Sequence, residues 1–154
     1  MKKLLIGIDL GTTYSCAAIL NDAGTIEIAP CSEDGKNTTP SVFYLKKDSD
    51  KAKVGNSAKS SLQGLIALKK ESRKQQMKGG WYVHPKETKA VIEQAKRFIG
   101  TDKTYEFNNS EYNPTIVSAA ILKKIKQDVE IYYGQEVDEA VITIPAKWNN
   151  QARQ

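Results

Sequence analysis

The residues best suited to chemistry lie near the amino terminus, where an acidic residue directly precedes a tight turn. Asp9 ends an apolar run, and Gly11, Thr12 and Thr13 follow it closely. Glycine lets the backbone approach a ligand, and successive N–H groups in a turn form a concavity that binds anions. Magnesium prefers few carboxylates together with retained water. Residues 8–15 therefore predict a nucleotide-phosphate site in which Asp9 faces the metal.

This motif differs from the other common phosphate-binding patterns. The sequence contains neither GxxxxGK[ST] nor GxGxxG, so a Walker loop and a dinucleotide-binding fold are not indicated. A simpler interpretation of the same residues is a hairpin turn that contains Gly and Thr and binds nothing. The motif alone leaves both interpretations open.

The charge of the chain is spread unevenly. The net charge is +5, but residues 46–103 carry fifteen Lys/Arg and six Asp/Glu, or +9, and the remainder carries eight and twelve, or −4. A basic segment can attract nucleic acid through counterion release. We favour a solvated, lysine-rich surface because no aromatic RNA-binding motif or zinc finger accompanies the charge.

Cysteine usage and hydropathy indicate a cytoplasmic protein that does not enter a membrane. Cys16 and Cys31 are the two cysteines, and their positions predict buried free thiols rather than a disulfide or a metal site. Asp9 interrupts the amino-terminal apolar run too early for a secretory signal. No other apolar stretch has the length of a membrane span.

The strand patterns predict an α/β fold around the Asp9 motif. Residues 4–10, 14–20 and 25–31 are expected to form an antiparallel meander, and a short strand follows Pro40. The first strand is apolar on both faces, which predicts burial between layers. Residues 140–145 are rich in β-branched side chains and predict a second buried strand.

The sequence predicts three helices, the first of them without clear apolar periodicity, and a further cap lies near the end of the chain. The first spans about 58–74 in a polar, lysine-rich stretch, and the second is periodic, spans 87–99 and stops at Gly100. The third follows the N-cap Asn113, ends at Gly134 and carries the core stripe Val117, Ile121, Ile125, Val129 and Tyr132. Asn149 and Asn150 would cap a helix at the last residues, so the chain is expected to be truncated.

Several segments resemble one known family. Residues 6–16 (IGIDLGTTYSC) closely resemble the first phosphate motif of the 70-kilodalton heat-shock (DnaK-type) chaperones, within the superfamily of actin-like ATPases and sugar kinases. Residues 37–41 (NTTPS), the VGxxAK pattern at 54–59 and residues 140–146 (AVITIPA) resemble later segments of the chaperones. The chain is therefore identified as a member of this family. The resemblance runs from about residue 3 to the last residue, with a gap in the middle.

The resemblance implies an actin-like (ribonuclease H-like) ATPase domain, of which this chain is the first lobe. Its sheet is mixed and begins with the antiparallel meander. Residues 1–35 and 137–154 would form a sheet subdomain and residues 36–136 a smaller outer subdomain. ATP or ADP with Mg²⁺ would bind between this lobe and a second one.

The resemblance also assigns roles to individual residues. Asp9 would hold the metal through water, and the backbone of Gly11, Thr12, Thr13 and Tyr14 would contact phosphates. Pro145 and Arg153 match a proline and an arginine that relay the nucleotide state to the rest of the chaperone. A strand end is an equally good explanation for Pro145.

A further match concerns the lysine near the terminal phosphate. Residues 96–100 (KRFIG) resemble the family's KRxxG segment, whose lysine positions the attacking water, so Lys96 would be catalytic. Lys69 is a rival because the chain holds an extra lysine-rich stretch around residues 68–80, which makes the alignment ambiguous. A solvated helix face would explain either lysine equally well.

At the level of the whole protein, the resemblance implies an ATP-driven chaperone. Unfolded client polypeptides, a J-domain co-chaperone and a nucleotide-exchange factor would be its partners, and neither membranes nor nucleic acid are expected. This chain alone is expected to be inactive, because the second half of the nucleotide site lies beyond Gln154 in the family. Two alternatives stay open: a sugar-kinase-like member of the superfamily, and a non-catalytic binding module that uses the basic segment.

Overall fold

The central sheet contains the antiparallel meander that the sequence predicts. The computed structural model describes residues 3–46, 51–77, 91–107, 109–145, 148 and 150–153. Strands β1 (Leu5–Asp9), β2 (Tyr14–Leu20) and β3 (Ile26–Ala29) pair in antiparallel order. β10 (Glu139–Thr143) lies parallel to β1, with Asp9 opposite Thr143, which makes the sheet mixed. The strand order is β10-β1-β2-β3.

A second, smaller sheet begins where the chain leaves this meander. The two-residue strand β4 (Thr39–Pro40) pairs with the start of β2 and leads into β5 (Val42–Leu45), the strand predicted after Pro40. β5 lies between β6 (Ala52–Val54) and β7 (Val91–Glu93). The hairpin of β8 (Tyr105–Phe107) and β9 (Ser110–Tyr112) follows.

The helix predicted over residues 87–99 is wrong for the part that the structure describes. Residues 91–93 form β7, and Ala95–Phe98 form a short 3-10 helix. Gln94 between them has φ +59°, a left-handed conformation that interrupts a right-handed helix. The β-branched Val91 and Ile92 pair with β5 instead. Residues 87–90 lie outside the described residues.

The other helices form where the sequence predicts them. α1 spans Asn56–Met77, α2 spans Pro114–Tyr133 and the short α3 spans Asn150–Arg153. The Asn113 side chain caps α2 by accepting a hydrogen bond from the Ile116 N–H at 2.8 Å. Gly134 ends α2 with φ +64°. The predicted cap Asn149 lies outside the described residues.

The core lies between α2 and one face of the main sheet. The α2 stripe packs against β1 and β2 and continues to β5 and β7 through Ile6, Ile8, Ile19, Phe43, Ile92, Val117, Ile121, Ile125 and Val129. The sequence predicts that Tyr132 extends the stripe, but Tyr132 is 53% exposed and the neighbouring Tyr133 packs against the core instead.

The prediction that β1 and β10 are buried on both faces is wrong within the described part of the chain. Exposed and buried residues alternate along β1, and every residue of β10 is exposed. Leu5 and Val141 are 51% and 62% exposed. The described helices cover the β1 face that carries Ile6 and Ile8, and they do not bury β10. No described helix is long and apolar enough to cross a membrane.

Candidate functional site

Asp9 stands at the carboxyl end of β1, where the two neighbouring strands also present side chains. In the strand register Asp9 lies opposite Cys16 of β2 and Thr143 of β10. The Thr143 hydroxyl donates to Asp9 Oδ1 at 2.8 Å, and the Asp9 carboxylate is exposed. Thr143 was missed at the level of sequence, because only the parallel pairing of β10 with β1 brings it to Asp9.

The turn after Asp9 is braced by two buried serines. The Gly11 N–H donates to Ser15 Oγ at 3.0 Å, and Ser41 Oγ donates to the Gly11 carbonyl at 2.8 Å. The two serine hydroxyls lie 2.9 Å apart, and the Ser41 N–H donates to the Thr13 carbonyl at 2.9 Å. Ser41 therefore helps to fix the shape of residues 11–14, here called the phosphate turn after the ligand that the sequence predicts for it.

Glycine is required at the first position of the phosphate turn. A Cβ atom on Gly11 would lie 1.8 Å from the Tyr14 carbonyl oxygen, far inside van der Waals contact. The tight turn thus brings the backbone of Gly11 and Tyr14 close together.

A lysine of α1 lies beside this turn. Lys59 Nζ donates to the Tyr14 hydroxyl and lies 4.6 Å from the centre of the Tyr14 ring. A cavity of about 60 Å³ lies between Lys59 and the turn, and Thr12, Thr13, Ser41, Glu93 and Gln94 contribute to its walls. In the sequence Lys59 is only the last residue of the VGxxAK pattern, which predicts no role for its side chain.

Lys96 lies near Trp148, which is hydrogen-bonded to its neighbours Pro145 and Arg153. Lys96 Nζ lies 5.9 Å from the centre of the Trp148 ring. The Trp148 N–H donates to the Pro145 carbonyl at 3.1 Å, and Arg153 Nε donates to the Trp148 carbonyl at 2.9 Å. The predicted catalytic lysine is therefore close to the segment that contains the two predicted relay residues.

The structure describes the side chain of Lys96 but not that of its rival, Lys69. Lys69 lies within α1, and its side chain is outside the described residues. Gly100, just after the 3-10 helix that holds Lys96, packs so closely on α3 that a Cβ atom there would lie 2.7 Å from Ala152 Cβ. The choice between Lys96 and Lys69 stays a prediction.

The thiol nearest Asp9 has an altered pKa. Burial of Cys16, together with the negative charge of Asp9, raises the pKa of the thiol, and a backbone hydrogen bond from Asp9 partly offsets this. Cys16 and Cys31 are both free, as predicted, but only Cys31 is buried and Cys16 is partly exposed.

The carboxylate that this site offers to a magnesium ion is that of Asp9. The described residues contain no group of three or more His, Cys, Asp or Glu side chains that could bind a metal. An exposed carboxylate beside a turn that admits no side chain at Gly11 suits an ion that keeps most of its water and is shared with phosphate oxygens.

Comparison with known proteins agrees with the family resemblance. A family model described as Hsp70 protein matches residues 5–154. The chain is 38% identical over 153 residues to proteins named chaperone protein DnaK from Thermotoga petrophila, Thermotoga neapolitana and Thermotoga maritima. Each alignment covers 99% of this chain and 22% of the relative, so the chain spans about a fifth of the relatives' length.

Proposed function

The chain belongs to the Hsp70 family, and from this premise we propose that it supplies the phosphate-side wall of the nucleotide site of an ATP-dependent chaperone. Its α/β fold with a mixed sheet agrees with the first lobe of an actin-like ATPase domain. The observation that carries the proposal is the braced turn at Gly11, which follows the exposed carboxylate of Asp9.

The proposed ligands are ATP or ADP with Mg²⁺. Asp9 holds the ion through water, and Thr143 fixes the orientation of the carboxylate through its hydroxyl. The backbone of residues 11–14 binds the phosphate oxygens. The bound magnesium neutralises phosphate charge, and the chain's own residues orient the phosphates beside it.

We further propose that Lys96 is the catalytic cation of the parent ATPase and that Pro145 and Arg153 relay the nucleotide state. The Trp148 backbone is hydrogen-bonded to both Pro145 and Arg153, and Lys96 lies near the Trp148 ring. This proximity supports a link between the lysine and the two relay residues. A cation near the terminal phosphate stabilises charge that develops during transfer.

At the level of the whole protein, the proposal is a cytoplasmic stress-response chaperone. Hydrolysis would drive closure on unfolded client polypeptides, with a J-domain co-chaperone and a nucleotide-exchange factor as partners. The division into a sheet subdomain (1–35 and 137–154) and an outer subdomain (36–136) is part of this proposal. No observation favours the sugar-kinase or nucleic-acid alternative, and much of the basic segment lies outside the described residues.

The test is a titration of the chain with MgATP, followed by the backbone amide signals of residues 11–14 in NMR spectra. We expect these signals to shift in wild type. Asp9→Asn should weaken the magnesium-dependent part of the binding, while Asp102→Asn, which removes an exposed carboxylate elsewhere, should not. Unchanged signals at the phosphate turn with saturating MgATP would contradict the proposal.

A further inference from the structure

The loop of residues 31–36, here called the connector loop, is bonded to the start of α1. Asn56 Nδ2 donates to Cys31 Sγ at 3.5 Å, and the Ser57 N–H donates to Glu33 Oε2 at 3.2 Å. Asn56 and Ser57 are the first residues of α1, so the Glu33 carboxylate lies at the positive end of the helix dipole. Charge and hydrogen bonding together tie the connector loop to α1.

The same loop is bonded to α2 on its other side. Asp128 Oδ1 accepts hydrogen bonds from the Ser32 hydroxyl and from the Ser32 N–H, the latter at 3.3 Å. Lys124 Nζ lies 2.6 Å from Asp128 Oδ1 and 4.0 Å from Glu33 Oε1. The Asp128 and Lys124 side chains are only 5% and 16% exposed, so solvent and salt screen these charges little.

Asp128 is the buried charged residue of α2, whose other buried side chains are apolar apart from Ser118. Its second carboxylate oxygen, Oδ2, is buried and has no hydrogen-bond partner among the described residues. A buried ion pair contributes little net stability once desolvation is counted. Proteins keep a poorly satisfied buried group such as Asp128 chiefly where it serves a function. We therefore ask which residues the connector loop holds in place.

The connector loop leads to the phosphate turn through the first turn of α1. Lys59 lies two residues after Ser57, and its ammonium contacts the Tyr14 hydroxyl and ring. We propose that Ser32, Glu33 and Asp128 are positioning residues, which join α2 to the start of α1 and so keep Lys59 against Tyr14. The inference rests on the proposed function in one respect, namely that Tyr14 belongs to a phosphate-binding turn.

The experiment compares Ser32→Ala and Asp128→Asn with wild type in the complete chain. Tyrosine-labelled samples give the Tyr14 ring signals before ligand is added, and a MgATP titration then gives the affinity. We expect the ring signals to move in both variants and the affinity to fall on the order of fivefold, as a lost coupling between bonded groups would cause. Ser32→Thr keeps the hydroxyl and should restore wild-type behaviour.

The matched control is Glu130→Gln. Glu130 accepts from Lys126 four residues earlier on α2, so the variant removes an ion pair of the same spacing that is more exposed and lies away from Ser32 and Glu33. It should leave the Tyr14 ring signals and the affinity unchanged. Equal effects in Glu130→Gln, or no change in Ser32→Ala and Asp128→Asn, would refute the positioning role. If wild type itself does not bind MgATP, the proposed function fails, and the Tyr14 ring signals still decide the inference.

Discussion

At the residue scale, the phosphate turn depends on the lack of a side chain at Gly11. Because a Cβ atom there would meet the Tyr14 carbonyl oxygen at 1.8 Å, Gly11→Ala must open the turn. We expect a loss of about 1–3 kcal/mol in the free energy of unfolding, as for overpacking elsewhere. Denaturant unfolding measures it.

Gly64→Ala is the control for that substitution. Gly64 lies within α1, and a methyl group added to it would have no neighbouring atom within 4 Å among the described residues. Alanine favours a helix over glycine, so this variant should gain about 0.5–1 kcal/mol. A neutral Gly11→Ala beside a stabilised Gly64→Ala would show that the turn tolerates a side chain.

A second prediction at this scale separates the two candidate lysines in a complete ATPase domain. If Lys96 lies at the terminal phosphate, Lys96→Ala should sharply slow hydrolysis while ATP still binds, because a group that acts on the transition state changes turnover more than affinity. Lys69→Ala should be nearly neutral, as a solvated lysine would be. Single-turnover kinetics decide between them, and a slow Lys69 variant beside a normal Lys96 variant would reverse the assignment.

At the scale of elements, the sequence predicted a helix correctly where it carried signals for both helix ends. The N-cap Asn113, Pro114 at the first helical position and Gly134 at the end predicted α2 from the sequence, and all three behave as expected. The helix predicted over residues 87–99 had periodicity and a terminal Gly100 but no N-cap. Pairing of β7 with β5, a contact between distant residues, overrode that periodicity, and the β-branched Val91 and Ile92 were the local sign of a strand.

A further prediction at this scale concerns the end of α2. A hydrogen bond from Lys126 and another from the Val137 N–H lower the pKa of the Glu130 carboxyl. A lowered pKa favours the folded state above the ordinary pKa of a glutamate, and this contribution is lost as the pH falls through the folded value. Glu130→Gln should therefore lose less stability on acidification than wild type, as pH-dependent thermal unfolding would show. Identical acid profiles would contradict the predicted contribution.

At the scale of the whole molecule, the part of the chain that the structure describes packs one face of β1 and leaves the side chains of its other face exposed. The sequence predicted both faces of β1 to be buried, because apolar residues occupy both, and only Ile6 and Ile8 of that strand are buried in the described part of the chain. The sequence shows which side chains are apolar enough to be buried. Which of them are buried depends on the elements that pack against each face. The same limit applies to the site, since Asp9 and the turn could be predicted but Thr143 and Lys59 could not.

The exposure of the phosphate turn leads to the last prediction. Asp9 is exposed and Tyr14 is 44% exposed, so a phosphate bound here would keep much of its contact with water. At the dielectric constant of water a charge contact is weak, and hydrolysis needs a water-excluding site that aligns the nucleophile. The chain alone should therefore bind MgATP more weakly than micromolar and hydrolyse none of it. Calorimetry and a phosphate-release assay test this, with Asp9→Asn as the background; micromolar affinity, or release above that background, would show that this chain forms a working site by itself.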